Sequence, residues 1–129
     1  VSTGANGRFH AVVDTVMNTI TWTLRYEGLE GAVTQAHVHI AQRNVNGGIS
    51  FFLCSNLTTP APPPGTAACP APSGELSGVI TPENILGPAG QGIPAAAFAE
   101  VVENIRDGLS YANVHTTLAP GGEIRGQLH

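Results

Sequence analysis

In AHVHIAQ, Ala36 to Gln42, two imidazoles stand two residues apart in a run that otherwise reads as a buried strand. Successive side chains of an extended chain point to opposite faces, so His37 and His39 share one face while Val38 and Ile40 take the other. A third histidine has a comparable place in YANVHTT, where Val114 has core character and Tyr111, Asn113 and His115 line the opposite face. If those strands meet, three neutral ring nitrogens make a site suited to copper or zinc, copper being favoured. A fourth position would be left for water or for another ligand such as His10 or His129. Ligating imidazoles need hydrogen-bond acceptors behind them, for which Asn113, Glu123 and Gln127 are candidates. The pair alone has a plain alternative, two solvated histidines on a strand face, and it is the third histidine that shifts the balance toward metal.

Bringing these rings together requires a β-rich scaffold, and the chain supplies one. RFHAVVDTV, residues 8–16, and TITWTLRY, residues 19–26, are strand-like and joined by a short turn near Met17-Asn18, which reads as a hairpin. In the second segment Ile20, Trp22, Leu24 and Tyr26 alternate with Thr21, Thr23 and Arg25, as in a half-buried strand. GLEGAV turns the chain into the histidine strand, residues 34–41, and RNVNGG turns it again into ISFFLC, residues 49–54. Further strands are expected at 74–80, 109–116 and 123–129, the last placing Ile124 and Leu128 inward and Glu123, Arg125, Gln127 and His129 outward. Thr81-Pro82-Glu83 starts only a short turn. PAAAFAEVVENIRD, residues 94–107, has Phe98, Val101, Val102 and Ile105 at helical spacing, with Pro first and Gly108 just beyond. Short strands punctuated by Gly and Pro, plus one helix, predict a mainly β fold: an antiparallel Greek-key sandwich or barrel with the helix packed on it.

The 129 residues suffice for one domain spanning 1–129, with no internal repeat. Residues 55–73 form a Pro-rich loop short of large apolar side chains, bracketed by Cys54 and Cys69. A bridge between them would close about 16 residues, which chain entropy values at roughly 3 kcal/mol, and would place the protein in an oxidising compartment. Two unrelated small apolar thiols are the other reading. Asn56-Leu57-Thr58 fits the acceptor pattern for an N-linked sugar, and the adjacent Thr-Thr-Pro would suit O-linked ones.

The chain has no Lys, and its five Arg are scattered among nine carboxylates, for a net charge of -4. That excludes Schiff-base lysine chemistry and argues against nucleic acid and anionic membrane surfaces, which need clustered positive charge. No apolar run approaches the ~20 residues of a membrane span, and no signal peptide opens the chain, so an exported protein would be represented here in mature form. Hydrolytic nucleophile chemistry is set aside, because no G-x-S-x-G elbow is present and Ser77 and Ser110 have no acid-base partners by spacing. Glu100 and Glu103 lie one helical turn apart, as on any solvated helix face.

AHVHIAQRNVNGGISFFLC, GELSGVIT and above all YANVHTTLAPGGEIRGQL resemble the CHRD domain, the module named after chordin and frequent in secreted bacterial proteins. The resemblance covers nearly the whole chain and is most specific from Tyr111 to Gly126. It implies a secreted or surface-exposed module, with the periplasm as a further location, that regulates or assembles with extracellular proteins. The family is also similar to Cu/Zn superoxide dismutase in its use of a His-x-His strand and a later strand histidine, which by analogy makes His37, His39 and His115 copper ligands. Arg125 could attract an anion beside such a metal, or form a surface ion pair with Glu123. No bridging histidine with a downstream zinc-ligand cluster is found, so the analogy does not extend to a paired Cu/Zn site. CHRD domains usually open with a strand just before the part matched by VSTGANGRF. Either that strand is trimmed from this chain or the sheet lacks it, and an uncovered sheet edge would be open to a homo-oligomer, a filament or an unidentified extracellular protein.

Two functions follow as expectations. One is a structural or interaction module, not an enzyme, carrying an accessory metal site. The other is a copper-dependent oxidoreductase of the superoxide dismutase type.

Overall fold

A computed structural model describes residues 3–41 and 47–128. The turn expected at RNVNGG falls largely outside the described residues, as does His129. The strands are β1 (Asn6–Asp14), β2 (Thr19–Glu27), β3 (Val33–Ile40), β4 (Gly48–Ser55) and β5 (Gly74–Ile80), followed by helix α1 (Phe98–Arg106), β6 (Ser110–Thr116) and β7 (Ile124–Gln127). They form two antiparallel sheets, one ordered β1-β2-β5 and the other β4-β3-β6-β7. The sheets face each other as a sandwich, and the described strands close no barrel.

The β1–β2 hairpin forms where the sequence places it, and its turn has a local cause. Asp14 Oδ1 accepts the backbone N–H groups of Val16 and Met17, both at 2.9 Å, and Asn18 takes the left-handed conformation (φ 54°) that Asn tolerates better than most residues. β2 then buries Ile20, Trp22, Leu24 and Tyr26 on one face, as its alternation predicts. Across the interior they share one apolar core with Ala36, Val38 and Ile40 of β3, Phe51 and Leu53 of β4, and Val114 of β6. Phe98, Val101, Val102 and Ile105 of α1 complete that core.

The helix is shorter at its start than the 94–107 read from spacing. Ala96 adopts a positive φ of 65°, and its N–H donates to Ile85 O at 2.9 Å, so residues 94–97 form a turn and the helix begins at Phe98. Pro94 therefore introduces that turn rather than the first helical residue. Its end agrees with expectation, because Gly108 follows in the left-handed conformation.

Cys54 and Cys69 are bridged. Beside the bridge, Asn56 donates through Nδ2 to Val33 O (3.1 Å) and Cys69 O (3.0 Å) and accepts from Cys69 N–H (2.8 Å). Ser55 N–H donates to Ala67 O, and the Tyr26 hydroxyl donates to Pro70 O. A segment with few apolar residues is thus fastened to the sandwich by one covalent and several polar ties, which compensates for the core it cannot build.

Candidate metal centre

The histidine strand lies inside the four-stranded sheet, with β4 on one side and β6 on the other. Pairing with β6 sets His39 opposite Tyr111, His37 opposite Asn113 and Gln35 opposite His115. His115 is then a diagonal neighbour of His37 on the same face, within the reach of such pairs. The β4 register shifts between Ala36 and His37 and again between Val38 and His39, which brings Phe52 against His37 with ring centroids 4.4 Å apart. One ring nitrogen from each of His37, His39 and His115 lies within 4.8 Å of the other two.

The alternation predicted from sequence holds, with Val38 and Val114 in the core and the three imidazoles on the other side of the sheet. The expected outward exposure does not. His37, His39 and His115 are only 1, 7 and 8% exposed. Phe52 packs edge-on against His37, and Tyr111 stacks in parallel on His39, 4.8 Å between centroids and 2° between planes. The Arg125 guanidinium carbon lies 3.5 Å above the Tyr111 ring on a cation–π contact, so Arg125 is part of this cover.

Hydrogen bonding fixes two tautomers. A carbonyl oxygen only accepts, so Nδ1 of His39, 2.8 Å from Gly47 O, and Nδ1 of His115, 2.6 Å from Pro120 O, both carry protons. Each ring is left with its lone pair on Nε2. His115 Nε2 faces His37 Nδ1 at 3.1 Å, which makes His37 Nδ1 the donor there and leaves the His37 lone pair on Nε2 as well. Nε2 of His37 and Nε2 of His39 are buried without a hydrogen-bond partner. These two orphaned acceptors on neutral rings stand beside a third, His115 Nε2, whose lone pair accepts the His37 N–H and would have to exchange it for the metal. Together they fit a cation that accepts electron pairs, and the carbonyls behind two of the rings are the supports a ligating imidazole needs.

Electrostatics keep the rings neutral. Burial lowers the His37 pKa to about 3, helped by the proximity of His115 and His39. Burial also lowers His39, against the opposing bond to Gly47, and lowers His115, against the bond to Pro120.

The supports differ from those expected. Gln127 Nε2 donates to Gly108 O, and Glu123 turns inward to accept the N–H groups of Glu30 and Gly31 and the hydroxyls of Thr116 and Thr3. Those bonds, led by the Glu30 N–H, hold the Glu123 carboxyl below its usual range. Asn113 does approach: its side chain lies near enough to favour the charged form of His39, but its Oδ1 and His39 Nε2 both stay without a hydrogen-bond partner, while its Nδ2 donates to Gly121 O at 3.3 Å. His10 is exposed on β1 in the other sheet and takes no part in the triad. The acceptors that sequence reasoning missed, Gly47 O and Pro120 O, belong to the backbone. One signal for them was present in the glycines. A Cβ on Gly47 would lie 1.9 Å from Ile40 O, and Gly122, at φ 121°, lets the turn approach Asn113 closely.

Fold and site together define a two-sheet β-sandwich module with a buried three-histidine cluster on the face of its four-stranded sheet away from the core. The chain belongs to the CHRD domain family, whose model matches residues 1–128. No curated protein and no solved structure matches it. Among the described residues no second group of metal-ligand side chains accompanies the triad, and no helix is long and apolar enough to cross a membrane.

Proposed function

We propose that this protein is an extracellular structural or interaction module that holds one copper ion at His37, His39 and His115 and assembles through an open sheet edge. The observation that carries the metal is the pair of buried, partnerless Nε2 atoms on rings that burial keeps neutral. A partnerless buried acceptor costs on the order of 1–3 kcal/mol, and a cation removes that cost at both positions. Three imidazoles bind copper more tightly than zinc, by the general order of divalent affinities. Family membership and the disulfide support the extracellular setting. Asn56 keeps the N-glycan acceptor pattern, and attachment would leave one of its two Nδ2 protons for Val33 or Cys69.

The test is metal analysis of untagged protein, then copper titration followed by spectroscopy and a superoxide-consumption assay. Stoichiometric copper that is lost in His37→Gln and His39→Gln supports the site. Copper without turnover makes it structural, and fast turnover on the same ligands makes the module an enzyme. Absence of specific copper in the folded protein overturns the assignment.

A further inference from the structure

We infer that the side-chain oxygen of Asn113 is the fourth donor to the ion held by His37, His39 and His115, and that this oxygen makes the centre favour Cu(II) over Cu(I). This rests on the copper reading of the triad and names what completes it.

Strand geometry sets Asn113 among the rings. On β6 it lies midway between Tyr111 and His115 and shares their face, and in the pairing with β3 it stands directly opposite His37. It is only 4% exposed. One end of its amide is fixed, because Nδ2 donates to Gly121 O at 3.3 Å. A Cβ on Gly122 would stand 2.9 Å from that nitrogen, so the turn closes tightly on this end of the side chain. The other end, Oδ1, is buried without a hydrogen-bond partner. With Nδ2 committed to the turn, the oxygen is the end left to the rings, in keeping with a side chain that favours positive charge on His39.

The triad has no proton to give that oxygen. The Nδ1 protons of His39 and His115 go to Gly47 O and Pro120 O, and that of His37 goes to His115 Nε2. The other ring nitrogens carry lone pairs, so Oδ1 adds a third buried, partnerless acceptor to His37 Nε2 and His39 Nε2. Acceptors gathered without a donor repel one another, and a cation satisfies all of them at once. The competing side chains are engaged elsewhere: Glu123 accepts from loop N–H groups and hydroxyls, and His10 sits on β1 in the other sheet. A carbonyl oxygen serves copper as a weak ligand beside stronger nitrogen donors. Being hard and neutral, it supports the higher oxidation state more than the lower.

The experiment compares the parent protein with Asn113→Leu and Asn113→Asp. The readouts are titration with Cu(II) and with Cu(I), electron paramagnetic resonance of the Cu(II) form, and the reduction potential. Leu keeps the size of the side chain and removes both polar ends. Asp keeps an oxygen and loses only the amide group that bonds Gly121 O. In Asn113→Leu, Cu(II) affinity should fall about tenfold or more while Cu(I) affinity stays near the parent's. The potential then rises by about 59 mV for each tenfold loss, and the Cu(II) spectrum changes. Asn113→Asp should hold Cu(II) at least as tightly as the parent. Equal losses of Cu(I) and Cu(II) in both variants would mean that Asn113 only braces the turn, and would overturn the inference. So would a Leu variant with the parent's affinities and spectrum, which leaves the triad reading intact. A parent protein that takes up no specific copper overturns both. Thermal unfolding without metal checks that each variant is folded. Should Leu not fold, Asp decides alone: a gain for Cu(II) over Cu(I) relative to the parent supports the oxygen donor, and equal changes overturn it.

Discussion

Lowering the pH of the metal-free protein from 7 to 5 should remove about 2 kcal/mol of stability through His37 alone. The folded ring has a pKa of about 3 against an ordinary 6.5, because burial and two neighbouring imidazoles oppose its charge. The folded value lies below the unfolded one, so the unfolded chain binds the proton first. The contribution of His37 is complete above pH 6.5 and is lost as pH falls from there toward 3. At pH 5 the unfolded ring is about 1.5 units below its midpoint, and at about 1.36 kcal/mol per unit the loss reaches about 2 kcal/mol. His39 and His115 are shifted the same way and add to it. Most carboxylates titrate below this window, so it belongs largely to histidine. Urea unfolding followed at both pH values is the assay, and with a slope of roughly 2 kcal/mol per M the midpoint should fall by about 1 M or more. His37→Gln should flatten the dependence. Equal stability at pH 7 and 5, or an unchanged slope in that variant, would refute the claim that the buried ring is held neutral. Saturating copper should raise the midpoint most at pH 7 and progressively less toward pH 5, since the metal competes with protons for the same lone pairs.

Removing the Cys54–Cys69 bridge by a double Ser substitution should cost about 3 kcal/mol, from a sequence separation of 15, read as a lower urea midpoint. Gly47→Ala should lower copper affinity about 10–100-fold by isothermal titration, because its Cβ cannot coexist with Ile40 O and the carbonyl behind His39 must move. Glu123→Gln should lower the melting temperature at pH 7 and reduce the further loss as pH falls. The native carboxyl is held below its usual range, so its stabilisation is present above the ordinary Glu pKa and disappears as acid protonates the folded form.

The parts of this molecule legible in its sequence are those governed by a period or a local turn. His37 and His39 share a face because strand side chains alternate, and the β1–β2 hairpin closes because Asp14 and Asn18 suit its turn. The helix face follows from the spacing of Phe98, Val101, Val102 and Ile105, yet the helix start does not, because the left-handed Ala96 is held by Ile85, eleven positions back. Glu123 read as outward by the same alternation that placed Ile124, but it precedes β7, and loop N–H groups from residues 30 and 31 draw it in. Backbone acceptors such as Gly47 O and Pro120 O leave no side-chain signature at all.

The burial of the triad escaped the sequence for the same reason and carries the larger consequence. Its cover comes from Phe52 on β4, Tyr111 on β6 and Arg125 on β7, three strands that come together only in the finished sheet. The unfolded chain cannot offer the three rings together, nor can it fix their tautomers through Gly47 and Pro120. A cation that binds there selects the folded state, and its binding free energy becomes folding free energy. In a module of the proposed kind, whose long Pro-rich loop adds little to the core, a metal at the triad and the disulfide would stabilise by complementary routes. The metal would strengthen the four-stranded sheet, while the bridge restricts the unfolded chain.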